Sequence, residues 1–334
     1  MSLPAPSLAD YSGVLSLRRG DAVLGEWAEG LADRTSETPN TVATRFGLAS
    51  GTKMFTAATV LALVDDGSLS RGTRARDILG GDLPLVAPDV TIDHLLTHTS
   101  GIGDYLDEEV DALAPLPIPV QQLDSTPAYL PLLDGHPTKF PAGERFSYCN
   151  SGYVLLAVLA ERASGSSFAE LVETRVFQAA GMTDSGFPRS DHLPPGTATG
   201  YRDDGRTNVF ALPVVGSGDG GAFSTVADLH RFWEALFAGR ILSRTGVDLL
   251  ITPTTADTGD GLGYGRGVWI DGDDLVMAGG DHGVTAVSRR HAASGTTVTG
   301  LANVAVRTFA RTRDLMDQVL GRPAAAAAEA VSAD

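Results

Sequence analysis

The chain has 334 residues, 43% hydrophobic and 20% charged, the proportions of an ordinary globular protein. Its 25 basic and 41 acidic side chains leave a formal net charge of −16, which argues against a nucleic-acid backbone or an anionic membrane as the main partner, since both require a basic footprint. The single cysteine, Cys149, excludes an intrachain disulfide and a Cys-rich zinc site.

Residues 1–13 show no basic segment followed by an apolar one, so no secretory leader is read and a cytoplasmic location is expected, with earlier removal of a leader left open. The stretch SGVLSLRRGDAVLGEWAEGLADR (12–34) predicts two strands around a turn at Arg19-Gly20-Asp21. From Met54 to Val64 apolar or small residues occupy every face, which marks a buried central helix rather than an amphipathic surface one. It stops at Asp65-Asp66-Gly67.

Residues 71–215 change character. Prolines cluster at 115, 117, 119, 127 and 131, and short helices over 153–164 and 168–181 alternate with loops. A helix is predicted over 225–239, then strands in YGRGVWID (264–271), DLVMAGGDHGVTAVSRR (274–290) and GTTVTGLANVA (295–305), and a last helix near 310–321. The expected organisation is an α/β unit built from both termini (8–70 with 216–322), a helical, loop-rich insertion (71–215) and a disordered tail (323–334). No apolar run approaches the ~20 residues of a membrane-spanning helix, and no internal repeat is found.

Only two of the 25 basic residues are lysines, Lys53 and Lys139. Lys139 lies in HPTKFPAG and reads as an incidental surface residue. Lys53 begins the buried helix three residues after Ser50, so the two share a face. Ser50 sits where the helix dipole and free N–H groups surround its hydroxyl. A desolvated lysine there can lose its proton and act as a base, which an arginine cannot do. Ser50-Gly51-Thr52-Lys53 is therefore an S-x-x-K nucleophile pattern of acyl-transfer enzymes. A second motif, Tyr148-Cys149-Asn150, supplies a phenol able to exchange the serine proton and an amide able to hold a substrate carbonyl or orient the lysine.

With FGLASGTKMFTA, LLTHTSGI (95–102), PAGERFSYCNSGY, AAGMTDSGF (179–187) and GDGGAFSTVADLHRF (218–232), the chain resembles the serine β-lactamase and penicillin-binding-protein superfamily. The likeness is to its class C-like branch, which includes family VIII esterases, D-aminopeptidases and D,D-carboxypeptidases. The resemblance implies an α+β fold, an α/β sandwich with an antiparallel sheet flanked by helices and a helical insertion. It makes Ser50 the acylated nucleophile, Lys53 and Tyr148 the general base and acid, and Asn150 their partner. The oxyanion hole would combine the Ser50 N–H with one from the edge strand that carries a third motif.

The family's K-T-G or H-x-G is missing from that strand. Aligned by glycine, Asp281-His282-Gly283 takes its place, with Asp281 in the cation slot, His282 turned away by strand alternation, and the oxyanion N–H near Val284. A bulge that lets His282 take over is the alternative. An anionic Asp281 there would repel substrate carboxylates, which favours neutral esters or amides.

Other signals weigh less. His94 and His98 (i, i+4) lack a metalloprotease glutamate, and His98 reads as a loop-bonding residue. Gly216–Gly221 matches G-x-G-x-x-G but reads as a turn. Cys149 reads as a small buried residue, and the α/β-hydrolase elbow is absent. Tyr264 and Trp269 fit either a cleft wall or strand packing.

The expected function is serine hydrolysis through an acyl-enzyme on small ester, amide or peptide-like substrates, with no metal or organic cofactor and no nucleic-acid or membrane partner. A D-aminoacyl peptidase, a weak β-lactamase or an acyltransferase is the alternative within the family. A penicillin-recognising sensor or pseudoenzyme is the non-catalytic one. Oligomeric state is not legible.

Overall fold

The computed structural model describes residues 11–111, 115–305 and 308–322. The strands are β1 (Gly13–Arg19), β2 (Ala22–Glu29), β3 (Leu31–Asp33), β4 (Thr38–Pro39), β5 (Phe46–Gly47), β6 (Phe223–Ser224), β7 (Gly263–Tyr264), β8 (Trp269–Asp271), β9 (Asp274–Asp281), β10 (Val284–His291) and β11 (Thr296–Ala302). Seven of them form one antiparallel sheet in the order β2-β1-β11-β10-β9-β8-β7. Val14 on β1 pairs with Leu301 on β11, so the two ends of the chain complete the sheet together.

The helices are α1 (Thr52–Asp65), α2 (Ala75–Leu79), α3 (Ile92–Leu96), α4 (Glu108–Asp111), α5 (Leu130–Leu133), α6 (Asn150–Ser164), α7 (Phe168–Val172), α8 (Gln178–Ala180), α9 (Val226–Phe237), α10 (Arg244–Ile251) and α11 (Thr308–Leu320). Period-two alternation gives the sheet two apolar faces. Leu17 and Val298 pack with Leu315 and Met316 of α11. Val14, Leu301 and Ala286 belong to the main core with Phe55 of α1, Leu155 of α6 and Trp233 of α9. Trp233 also donates to Ser288 of β10 (2.9 Å), which satisfies its buried indole N–H.

Helix α1 has no polar face because it has no solvent face: every residue from Thr52 to Leu63 is buried. Phe55 meets Phe177 and Phe232 edge-on, both at 5.1 Å. Helix α6 ends at Gly165, whose φ of +76° allows the left-handed close that an L side chain resists.

Three expectations change in detail. The run 264–271 is a pair of two- and three-residue strands around a turn, since Gly267 has a φ of +79°. The run 274–290 is a hairpin with its turn at His282-Gly283. Helix α10, capped by the Ser243 hydroxyl on the Gly246 N–H (3.0 Å), was not anticipated. The expected tail at 323–334 lies outside the described residues. Among the described residues, no helix is long and apolar enough to cross a membrane.

Candidate active site

Ser50 occupies a 3-10 turn, Ala49–Gly51, that runs directly into α1, and Ala49 holds a φ of +45° to make the entry. One turn on, Lys53 is 2% exposed. Its Nζ donates to Ser50 Oγ (3.0 Å), Asn150 Oδ1 (2.7 Å) and the Asp219 carbonyl (2.8 Å). An ammonium has three protons, and here each has an acceptor. In the neutral amine two N–H bonds remain on Asn150 and Asp219, and the lone pair takes the third direction, toward the Ser50 hydroxyl. The geometry serves both protonation states.

Tyr148 lies over this group, with its ring centroid 4.9 Å from Lys53 Nζ and its phenol in hydrogen-bonding contact with Ser50. Burial pushes the phenol well above its ordinary pKa, the charge of Glu108 adds to this, and the Ser50 contact opposes it. The ring stacks on Trp269 at 5.9 Å and lies tilted against His98 at 4.4 Å. His98 has a φ of +55°, and its Nδ1 accepts the Cys149 N–H at 3.1 Å. Burial keeps its imidazole pKa far below normal, and the Lys53 charge adds to that. His98 is thus a neutral support, while Cys149 is buried and its thiol is pushed up by burial, which leaves it unreactive.

Residues 104–108, which the sequence analysis did not single out, form a strap across the start of α6. Asp104 accepts the N–H groups of Asn150 (2.7 Å) and Ser151 (2.8 Å). The Tyr105 hydroxyl donates to the Asp219 carboxylate. The Leu106 carbonyl and Glu108 Oε1 both accept from Asn150 Nδ2 at 3.0 Å. Asp107 pairs with Lys139 at 2.6 Å, so Lys139 is a half-buried clamp and not an incidental surface residue.

The glycine-rich segment 216–221 is a tight turn closed by Ser217 and Gly220. It wraps α1: the Gly218 carbonyl takes the Thr56 hydroxyl (2.6 Å), and a Cβ at Gly218 would fall 2.0 Å from the Tyr153 carbonyl. This brings the Asp219 carbonyl onto Lys53. No side-chain motif announces an acceptor that belongs to the backbone.

Strand β9 passes the nucleophile in a different register from the one expected. A Cβ on Gly279 would lie 2.2 Å from the Leu48 carbonyl and 2.7 Å from the Ser50 nitrogen. Met277 touches Gly51 on the same face, and Met277 and Ala278 line the pocket beside Ser50, Lys53, Tyr148, Tyr264 and Trp269. Gly279 is therefore the glycine of close approach to Ser50, and Met277, two residues before it on the same face, lies beside Gly51.

Asp281, His282, Gly283 and Val284 lie instead at the hairpin end. Asp281 Oδ1 accepts the His282 N–H at 2.7 Å, and the His282 carbonyl accepts from Asn208 at 2.9 Å. Gly283, at a φ of +65°, abuts Tyr201 and Gly200. Asp281 and Val284 flank a two-residue turn and form a hydrogen-bonded pair, so Gly279 and Met277 also bond to β10. Ala278 and Gly280 then turn their N–H groups to the opposite edge, which β8 covers only as far as Val276. The strand N–H that faces the cleft beside Ser50 is that of Gly280, not one near Val284. The expected alignment took Gly283 as the motif glycine, while the glycine that meets Ser50 is Gly279, four residues earlier in MAGGDHG.

The beta-lactamase family model matches residues 9–321. The chain belongs to the beta-lactamase family. A solved penicillin-binding protein from Bacillus halodurans superposes with a TM-score of 0.85 at 38% identity, covering 94% of this chain and 98% of that one. Penicillin-binding protein 4* of Bacillus subtilis (strain 168) is 31% identical over 279 residues, 78% of this chain and 59% of that protein. Esterase EstB of Burkholderia gladioli is 36% identical over 201 residues, 57% of this chain and 50% of the esterase. This beta-lactamase-family chain thus spans half to three-fifths of the length of these two curated relatives.

Proposed function

We propose that the protein is a serine hydrolase that acylates Ser50 on small, uncharged esters or amides and returns the acyl group to water. The observation that carries the substrate class is Met277 in the slot where the family's third motif places a cation. Lys53 already has all three hydrogen-bonding directions of its Nζ engaged, on Ser50, Asn150 and Asp219, and Tyr148, Tyr264, Trp269 and Met277, which line the pocket beside it, bring no further cation.

A substrate carbonyl oxygen sits between the N–H groups of Ser50 and Gly280, which stabilise its developing charge. Ser50 Oγ attacks the carbonyl carbon, its proton passes to neutral Lys53, and the Tyr148 hydroxyl donates to the leaving group as the bond to it breaks. Water then attacks the acyl carbonyl and gives its proton to the Tyr148 phenolate, and the Lys53 ammonium returns its proton to Ser50 Oγ as the ester bond breaks, which restores all three groups. A second reading, cleavage of substrates that carry a protonated amine, is favoured by two carboxylates beside the Lys53 group, those of Glu108 on Asn150 and of Asp219 on Tyr105. Proteins named D-aminopeptidase are among the relatives.

The test uses p-nitrophenyl acetate, a D-amino-acid p-nitroanilide and nitrocefin. The ester is expected to turn over, and Ser50→Ala to reduce that turnover by a factor of about 10³ or more. Nitrocefin, an anion, is expected to react slowly, and faster in Met277→Lys. Faster cleavage of the anilide than of the ester would select the amine reading. Undiminished ester hydrolysis in Ser50→Ala, or nitrocefin as the best substrate of the parent, overturns the proposal.

A further inference from the structure

The amide of Asn150 has two ends of similar size and opposite chemistry, and the site works with only one of them facing Lys53. With Oδ1 toward Nζ, the 2.7 Å contact is a hydrogen bond. With the amide reversed, Nδ2 would confront an ammonium and two donors would face each other. What decides the orientation lies on the far side of the amide. There Nδ2 donates to Glu108 Oε1 and to the Leu106 carbonyl, each at 3.0 Å. An ionised carboxylate accepts and cannot donate, so it binds Nδ2 and rejects Oδ1. Its charge also polarises the amide, which strengthens the bond that Oδ1 makes to Lys53.

We propose that Glu108 is a positioning residue for acyl transfer, fixing the Asn150 amide so that its oxygen faces Lys53. The inference rests on the reading of Ser50 and Lys53 as the acyl-transfer pair. Glu108 begins α4 and is exposed, so it contributes little to the core. The strap holds it in place: Asp104 fixes one end on α6, and Lys139 fixes Asp107, its immediate neighbour. Lys53 and Lys139 therefore sit at opposite ends of one chain of contacts, Lys53–Asn150–Glu108 and then Asp107–Lys139.

A double-mutant cycle with Asn150→Ala, read as p-nitrophenyl acetate hydrolysis, tests this. Glu108→Ala is expected to lower kcat by about tenfold, the scale of a lost charge-assisted hydrogen bond, with KM changed by less than about threefold. In the Asn150→Ala background the same substitution is expected to change kcat by less than about twofold, because the group it positions is gone. Glu108→Gln keeps an acceptor for Nδ2 but loses the charge and can also pair with Oδ1, so it is expected to recover only part of the parent rate.

Equal losses in both backgrounds assign Glu108 a general structural role and overturn the proposal. So does a Glu108→Ala protein with parent kinetics. Ser50→Ala serves as the separate control: if it stays active, the acyl-transfer reading fails whatever the cycle shows.

Discussion

Asp281 closes β9 with one carboxylate oxygen on the His282 N–H, yet burial pushes its pKa up to about 6, with the charges of Asp219 and Glu108 contributing. A raised folded-state pKa means that the native form holds its proton more tightly than the unfolded chain does. The stability this gives is full below the unfolded value of 3.8 and is lost as pH rises to about 6. Asn cannot ionise and still accepts the His282 N–H. Asp281→Asn should therefore match the parent near pH 4 and exceed it above pH 6, by about 1–3 kcal/mol or a few degrees in Tm. Melting curves at pH 4 and pH 8 decide it, and an equal gain at both would rule out ionisation as the cause. At this scale the sequence reads some residues and hides others for a physical reason. Ser50 and Lys53 were legible because helical spacing joins them, and Tyr148 and Asn150 because they share one short block. Glu108 touches Asn150 across 42 positions, and the Asp219 acceptor is a carbonyl that every residue type carries.

Helix α6 begins at Asn150, but its N-cap residue is Cys149, whose side chain caps nothing. Asp104 supplies the missing acceptors from 46 residues away, which ties helix formation to the strap and places Asn150 by its backbone. Asp104→Ala leaves two N–H groups at a buried helix start without partners. It should lower stability by about 1–3 kcal/mol and lower kcat for p-nitrophenyl acetate, because Asn150 loses its backbone anchor. Tm and kcat measured together check this, and parent kcat in a destabilised variant would separate the cap from the site. The hairpin of β9 and β10 shows where element-level reading fails. A run of strand-forming residues fixed the composition of both strands, and the family pattern supplied a glycine to align. The turn was the undetermined part, and placing it at His282-Gly283 moved the catalytic edge from Gly283 back to Gly279.

The whole molecule is closed by residues near its ends. Leu301 is fully buried between Val14 and Ala286 on neighbouring strands, in the same apolar cluster as Phe55 of the nucleophile helix and Leu155 of α6. The antiparallel sheet and its flanking helices were legible because strand periodicity recurs at both ends and an all-apolar helix lies between. The strand order was not, since pairing β1 with β11 depends on closing nearly the full length of the chain. That closure predicts how the protein melts. Leu301→Ala removes Cγ and both Cδ atoms, a space that its neighbours refill only in part, and core substitutions of this kind cost about 2–5 kcal/mol. Because the cluster is continuous from the sheet to α1 and α6, the loss should fall on the molecule as one unit. Far-UV and near-UV circular dichroism and p-nitrophenyl acetate hydrolysis should then shift together to a lower midpoint, in a single transition. If the helices around α6 melt at the parent temperature while the sheet melts early, the two regions are separate folding units, and the continuity of the core does not govern stability.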